Sequence, residues 1–149
     1  MHCTVARRRA AVRKRPQAKV TILVIEDERF VRDVTCEILR QAGYRVLGAE
    51  CAAAARRVFD RHGKRIHLLL CDAVLPDSGG ARLSQTLRRL SPDLKVILAS
   101  GYPKSALPAE FCAESEDEFL SKPYCAAALI GKVQTALQSL PLRSYMRGM

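Results

Sequence analysis

The stretch LLLCDAVLPDSGG, which runs from Leu68 to Gly80, decides the fold class of this sequence. Its apolar part begins upstream at Ile66 and continues almost without interruption to Cys71. A run of this kind is typical of a strand that is buried on both faces of a parallel sheet. Asp72 follows directly where the run ends, so the stretch predicts a buried strand with a carboxylate at its carboxyl end.

Further apolar runs flank this strand in both directions along the chain. They are Val20–Ile25, Tyr44–Leu47, Lys95–Ala99 and Glu118–Leu120. Between them, apolar residues recur at helical spacing in the groups Val31, Val34, Ile38 and Ala42; Ala55, Val58 and Phe59; Leu83, Leu87 and Leu90; and Leu129, Val133, Ala136, Leu137 and Leu140. Gly43 and Gly63 predict the ends of the first two helices. The segment from Pro103 to Ser115 is interrupted by prolines and predicts only a short helix.

Strands and helices therefore alternate about five times. This alternation predicts an α/β fold with a doubly wound, five-stranded parallel sheet and helices on both faces. In such folds the functional site lies beyond the carboxyl ends of the strands. The polar residues found there are Glu26, Asp27 and Glu28 after the first strand, Asp72 after the third, Ser100 and Gly101 after the fourth, and Lys122 and Pro123 after the fifth.

The acidic residues at this edge predict a metal site. Glu26, Asp27 and Asp72 follow two different strands, and carboxylates packed together raise one another's pKa unless a cation compensates. A site with few carboxylates and room for water and phosphate suits Mg²⁺. Lys122 adds a positive charge and Ser100 a hydroxyl donor, which makes the set typical of phosphoryl transfer. Asp72 is the candidate nucleophile and would form an aspartyl phosphate.

The charge of the chain is unevenly distributed. Its formal net charge is +10, yet seven basic residues and no acidic residue fall within residues 1–19. We therefore expect a basic, flexible N-terminal arm over residues 1–19, a single domain over residues 20–139 and a short C-terminal tail over residues 140–149. The domain itself has little excess positive charge, which argues against nucleic acid as its partner. No apolar run approaches the roughly 18 residues of a membrane-spanning helix, so membrane insertion is not expected.

The six cysteines give no sign of a zinc site or a disulfide framework. They form no CxxC pair and no histidine cluster accompanies them. The basic N-terminus is not followed by the apolar segment of a signal peptide. We therefore expect reduced cysteines, mostly small buried hydrophobic residues, and a cytoplasmic location. His67 and Cys71 lie within the third strand and are interpreted as structural residues.

Four motifs together resemble the response-regulator receiver domain of two-component signalling. They are ILVIEDE at residues 22–28, LLLCDAVLPDSGG at residues 68–80, VILASGY at residues 96–102 and FLSKPY at residues 119–124. The resemblance covers about residues 20 to 139 in the right order and spacing. It implies a flavodoxin-like strand order of 2-1-3-4-5. The motifs ASGY and KPY are more similar to those of receivers attached to hybrid sensor kinases than to those of transcription-factor receivers.

The resemblance implies a role for each of the three acidic residues at the carboxyl edge of the sheet. It implies that Asp72 is the phosphoacceptor and that Glu26 and Asp27 form the acidic pair. Mg²⁺ would be bound by Asp27, Asp72 and the backbone carbonyl of Val74, with Glu26 acting through water. Glu26 stands where an aspartate is more usual in the family.

The resemblance also identifies the residues that respond to the phosphoryl group. Ser100 matches the hydroxyl position, and Lys122, followed by a proline that is cis in the family, matches the phosphate-binding lysine. Phe119 matches the aromatic switch residue and lacks the tyrosine hydroxyl of many relatives. Val74 and Tyr102 occupy the variable positions that tune the lifetime of the phosphoryl group.

The expected function is that of a stand-alone, single-domain response regulator. Asp72 would receive a phosphoryl group from a histidine kinase or a histidine phosphotransfer protein, in a Mg²⁺-dependent reaction that the domain itself catalyses. A downstream protein target would then respond to the phosphorylated domain. The ten residues after position 139 are too few for an output domain. Two alternatives remain, a phosphoryl carrier or sink without switching, and a nucleic-acid-binding protein that uses the basic arm.

Other classes with similar strand patterns fit less well. Phosphatases of the haloacid dehalogenase type place a second aspartate two residues after the nucleophile, where this chain has Val74. A flavodoxin needs a phosphate-binding loop after the first strand, where the acidic residues 26–28 would repel a phosphate. A dinucleotide site is excluded because the chain contains no GxGxxG motif.

Overall fold

The computed structural model of the protein describes residues 20–106 and 118–138. The strands are β1 (Thr21–Ile25), β2 (Arg45–Ala49), β3 (Ile66–Asp72), β4 (Lys95–Ser100) and β5 (Glu118–Ser121). The helices are α1 (Arg29–Gln41), α2 (Ala52–His62), α3 (Gly80–Leu90) and α4 (Ala126–Leu137). Short 3₁₀ turns cover Gly63–Arg65 and Lys104–Ala106. Every strand forms where the sequence has an apolar run.

The five strands form one parallel sheet in the order β2-β1-β3-β4-β5. The predicted order is therefore confirmed. The register aligns the carboxyl ends of neighbouring strands, because Ile25 lies opposite Cys71 and Asp72 lies opposite Ala99. Ser100 lies opposite Ser121 in the same way. The polar residues that follow these strands consequently meet at one edge of the sheet.

Apolar side chains alternate between two cores, one on each face of the sheet. Ile22, Val24 and Leu70 face the core that α1 and α4 cover. Leu23 and Cys71 face the second core, which α2 and α3 cover. The predicted helices on both faces are therefore confirmed. This double burial explains why the β3 run has so few polar positions.

Buried polar residues within this sheet have partners. The ring nitrogen Nδ1 of His67 accepts the backbone N–H of Thr21 at 3.1 Å, where the register between β1 and β3 shifts. The structural role expected for His67 is confirmed. Cys71 is fully buried, as expected for a core residue.

The cysteines were only partly anticipated. The four in the described residues are free thiols, and Cys36 and Cys71 are buried. Cys51 and Cys125 instead lie at the N-termini of α2 and α4, where each sulfur accepts a backbone N–H at 3.4 Å. Cys51 is still partly buried and packs against the second core, so among these four the expectation of mostly buried cysteines is wrong only for the exposed Cys125. A thiol can serve as a weak helix cap, which explains a cysteine at both positions.

The predicted ends of α1 and α2 are confirmed by the backbone. Gly43 has a φ of 102° and Gly63 a φ of 54°, a left-handed region that favours glycine. Two positions of the helical pattern are more exposed than expected, since Val34 is 42% exposed and Leu90 is 46% exposed. Both lie at the margin of the apolar face of their helix.

Several predicted segments fall outside the described residues. These are the basic arm over residues 1–19, the tail over residues 140–149, and residues 107–115 of the predicted short helix. The described part of that helix, Lys104–Ala106, is a 3₁₀ turn. Within the described ranges, no helix is both long enough and apolar enough to cross a membrane.

Candidate functional site

A cleft of about 500 Å³ opens at the carboxyl edge of the sheet. Glu26, Asp27, Asp72 and Lys122 all line it, and they come from the ends of β1, β3 and β5. The structure therefore brings together four of the residues that the sequence placed at strand ends. Phe30, Val34, Pro123 and Tyr124 add an apolar wall, contributed by α1 and by the loop after β5.

Three carboxylates form the acidic part of this cleft. Glu26, Asp27 and Asp72 each place one oxygen so that all three oxygens lie within 4.8 Å of one another. Glu26 is buried, Asp72 is half-buried and Asp27 is exposed. An all-oxygen set that is open to water on one side fits Mg²⁺, which retains several waters and takes few carboxylates.

The ammonium group of Lys122 compensates the negative charge. Its Nζ donates to Glu26 Oε1 and, at 3.0 Å, to Asp72 Oδ2. The backbone holds the lysine in place, because its N–H donates to the carbonyl of Ser100 at 2.8 Å. The peptide bond from Lys122 to Pro123 is cis, as the resemblance implied.

The environment moves the pKa values of these groups in different directions. Burial raises the pKa of Asp72 to about 6, against the opposing effect of Lys122. Burial also acts to raise the pKa of Glu26, but hydrogen bonds from Lys122 and from the backbone of Glu28 lower it below its usual value. Burial acts to lower the pKa of Lys122, yet its two carboxylate partners raise it overall. The lysine is therefore charged at neutral pH.

The raised pKa of Asp72 predicts that the free energy of unfolding decreases as the pH rises. Between the ordinary value of 3.8 and the folded value of about 6, the folded state binds more protons than the unfolded state. The stability that the folded state gains from the protonated Asp72 is present at low pH and is lost as the pH rises through the folded pKa. Raising the pH from about 5 to about 7.5 without metal should therefore destabilise the wild type relative to Asp72→Asn by about 1 kcal/mol.

Urea unfolding of both proteins at the two pH values measures this difference. The lowered pKa of Glu26 acts below its ordinary value of 4.5, outside the tested window. Exchange of an exposed acid, Asp33→Asn, should change the free energy of unfolding by less than about 0.5 kcal/mol and serves as the control. An unchanged gap between wild type and Asp72→Asn across this range would contradict the assignment.

The other predicted residues, Ser100, Phe119 and Val74, are not among the residues that line the cleft. Ser100 is buried, and its hydroxyl oxygen accepts the backbone N–H of Tyr102 at 3.0 Å. Phe119 is partly buried and packs against the core beneath α2 and α3. Val74 lies two residues beyond Asp72, in a loop where it bridges to Gly79.

Some contacts around the cleft have no counterpart in the sequence analysis. Arg32 donates from Nη1 to the backbone carbonyl of Glu26 at 2.7 Å. The hydroxyls of Thr35 and Tyr124 are hydrogen-bonded at 2.8 Å, which joins α1 to the loop after β5. Asp77 accepts two backbone N–H groups of α2. The weak thiol cap at Cys51 leaves room for a further acceptor at the start of α2, but it does not identify Asp77 as that acceptor.

This fold and this cleft define a class of protein. The sequence model of the family described as "Response regulator receiver domain" matches residues 22–134. The chain belongs to this family, as the four motifs indicated.

Individual relatives support the same family. The chain is 31% identical over 118 residues to the sensor kinase CckA of Brucella abortus (strain 2308), a match that spans 79% of this chain and 12% of the kinase. It is 29% identical over 116 residues to the response regulator receiver protein CpdR of the same strain, spanning 78% of this chain and 95% of CpdR. A CheY-like receiver from Methanospirillum hungatei JF-1 superposes with a TM-score of 0.69 at 28% identity, covering 80% of this chain and 94% of that chain.

Membership in the family defines the general role of the site. Receiver domains are signalling domains that interact with histidine kinases or phosphotransfer proteins. They generally bind Mg²⁺ at an acidic pocket, and this chain has an acidic cluster of Glu26, Asp27 and Asp72 in its cleft.

Proposed function

We propose that Asp72 accepts a phosphoryl group from a histidine kinase or a histidine phosphotransfer protein, that the reaction requires Mg²⁺, and that the domain signals as a stand-alone switch in the cytoplasm. One observation carries the proposal. A carboxylate of Asp72 lies in an open cleft between two further acids and the ammonium group of Lys122, which donates to it at 3.0 Å.

Each residue of the cleft has a part in the proposed transfer. A carboxylate oxygen of Asp72 attacks the phosphorus atom, and a new O–P bond forms as the P–N bond of the phosphohistidine breaks. The electron pair of the broken bond remains on the imidazole nitrogen, which takes up a proton. Lys122 pairs with an oxygen of the transferred group, since its Nζ already reaches Asp72. The same groups allow the domain to use a small phosphodonor without a partner protein.

The carboxylates of Asp27 and Asp72 and the carbonyl of Val74 are the proposed ligands of Mg²⁺, with Glu26 acting through water. When bound, the ion neutralises charge on the phosphoryl oxygens. Asp27 is exposed to solvent and free to face a hydrated ion, whereas the buried Glu26 is hydrogen-bonded to Lys122. This difference supports direct ligation by Asp27 and an indirect role for Glu26.

Removal of the two acids should therefore weaken Mg²⁺ binding unequally. We expect Asp27→Ala to raise the Kd for Mg²⁺ about tenfold or more, and Glu26→Ala to raise it less. Titration of backbone amide shifts with MgCl₂ measures both constants. Equal affinity of the wild type and Asp27→Ala would refute the proposed ligand set.

The proposed switch involves Ser100 and Phe119. A phosphoryl group on Asp72 would draw the Ser100 hydroxyl from its bond with the N–H of Tyr102. The partly buried Phe119 ring, on the neighbouring strand, could then fill the space that the serine leaves. Two packing arrangements of these residues would thus be biased by the charge at Asp72.

Hydrogen exchange with and without beryllofluoride tests the switch, because this ion mimics a phosphoryl group in the presence of Mg²⁺. Protection should change in residues 100–106 and in β5 of the wild type, and much less in Ser100→Ala. Changes that stay confined to the loops of Asp27 and Asp72 would instead favour a phosphoryl carrier or sink.

A further inference from the structure

The loop between β3 and α3 is folded tightly on itself at its base. Val74 and Gly79 form an antiparallel bridge, and the N–H of Leu75 donates to the carbonyl of Ser78 at 3.0 Å. The N–H of Gly80 also donates to the carbonyl of Ala73 at 2.8 Å. These contacts fix the two ends of the loop, and its exposed tip consists of Pro76 and Asp77.

The tip of this loop is attached to a different element, helix α2. Asp77 Oδ1 accepts the N–H of Ala52 at 2.9 Å, and its Oδ2 accepts the N–H of Ala53 at 3.0 Å. These two bonds lower the pKa of Asp77, so the group is a carboxylate at neutral pH. The helix has no acidic residue in its first turn, and its own cap is the thiol of Cys51. The charged carboxylate of Asp77 therefore accepts two of the backbone N–H groups that have no partner within the helix, and its negative charge interacts favourably with the helix dipole.

The same attachment joins the two halves of the candidate metal site. The N–H of Glu26 donates to the carbonyl of Ala49 at 3.0 Å, just before α2 begins. Asp77 links the start of α2 to the loop that follows Asp72. A continuous path of bonds thus runs from the first acidic segment through β2 and α2 to the loop of Val74.

We propose that Asp77 is a positioning residue for the Mg²⁺ site, because it anchors the loop that carries the Val74 carbonyl to the N-terminus of α2. This inference rests on the proposed function, in which that carbonyl ligates the ion. A neutral carbonyl on a mobile loop would lose conformational freedom on binding, and this loss would weaken the affinity. A loop that is already fixed at both ends and at its tip avoids much of this cost.

If Asp77 only capped α2, its removal would lower the stability of the protein without a specific effect on the Kd for Mg²⁺. A variant that weakens the same helix at another cap provides the control. Cys51→Ala removes the other side-chain cap of the same helix and a contact of its thiol with Asp77, but it leaves both backbone donors to Asp77 in place. Ala52→Pro removes one of the two donors to Asp77 from the helix side. Proline is well tolerated at the first position of a helix, and Cys51 before it is already extended with a φ of −158° and a ψ of 172°.

The test measures the Kd for Mg²⁺ and the free energy of urea unfolding in the full chain. Asp77→Ala should raise the Kd about tenfold, Ala52→Pro should raise it by a smaller factor, and Cys51→Ala, which retains both backbone donors to Asp77, should change it least. The effects of Asp77→Ala and Ala52→Pro should not add in the double variant, because both remove the same interaction.

The possible outcomes separate this inference from the proposed function. A wild type that binds no Mg²⁺ would overturn both. A wild type that binds Mg²⁺ together with an Asp77→Ala variant of equal affinity would overturn only the positioning role and leave Asp77 as a helix cap. Equal weakening by Asp77→Ala and Cys51→Ala would also overturn it, since the stability of α2 alone would then set the affinity.

Discussion

Asp72→Asn should take up no phosphoryl group from acetyl phosphate and Mg²⁺, whereas the wild type should gain one. The amide retains the shape of the side chain but offers no carboxylate oxygen for attack on phosphorus. Asp72 lines the cleft and its Oδ2 lies 3.0 Å from Lys122, so its carboxylate is placed to react. Intact-protein mass spectrometry measures the gain. The added mass should disappear at alkaline pH, because an acyl phosphate is a mixed anhydride.

A second aspartate provides the control for this experiment. Asp33 lies on the exposed surface of α1, where it pairs with Arg29 at 3.7 Å, and Asp33→Asn should be phosphorylated like the wild type. Labelling at a single site in Asp72→Asn, at the wild-type level, would show that another residue is the acceptor.

Gly80→Ala should destabilise the fold by about 3 kcal/mol or more. A Cβ atom at this position would lie 2.1 Å from the backbone oxygen of Asp72 and 3.0 Å from Sγ of Cys71. The first neighbour is backbone and cannot rotate away, so β3 or the start of α3 must shift. Such a shift would also displace Asp72, and we expect phosphorylation to fall along with stability.

Gly131→Ala is the matched glycine variant. Gly131 lies within α4, and a Cβ atom there meets no other atom within 4 Å. Alanine should therefore stabilise the protein by about 0.5 to 1 kcal/mol through its helix propensity. Urea unfolding measures both variants. A Gly80→Ala protein as stable as the wild type would show that the close approach to Asp72 carries no cost.

The order of strands and helices could be predicted because strands buried on both faces of the sheet are nearly continuous apolar runs in the sequence. The run that ends at Cys71 is apolar since its side chains enter two cores, and Gly43 is required by a positive φ. The exposure of Val34 could not be predicted in this way. Helical spacing places it on the apolar face, and only the position of the neighbouring elements shows that the face ends there.

The site was predictable to the extent that it depends on strand ends. Parallel strands bring their carboxyl ends to one edge, so Asp27, Asp72 and Lys122 could be placed together from the sequence. The attachment of Asp77 to α2 was not predictable. It joins residues 25 positions apart through backbone donors, which leave no mark on residue identity.

The reactivity of the buried Cys71 thiol can be used to measure local opening of the structure next to Asp72. The thiol belongs to the residue before Asp72, the proposed phosphoacceptor, and its Sγ donates to the carbonyl of Asp72 at 3.3 Å, while burial strongly raises its pKa. A protonated and inaccessible thiol does not react with alkylating reagents. Modification of Cys71, followed by peptide mass spectrometry, would therefore proceed only when the sheet opens beneath Asp72. Its rate would report how often the floor of the cleft opens in the native protein.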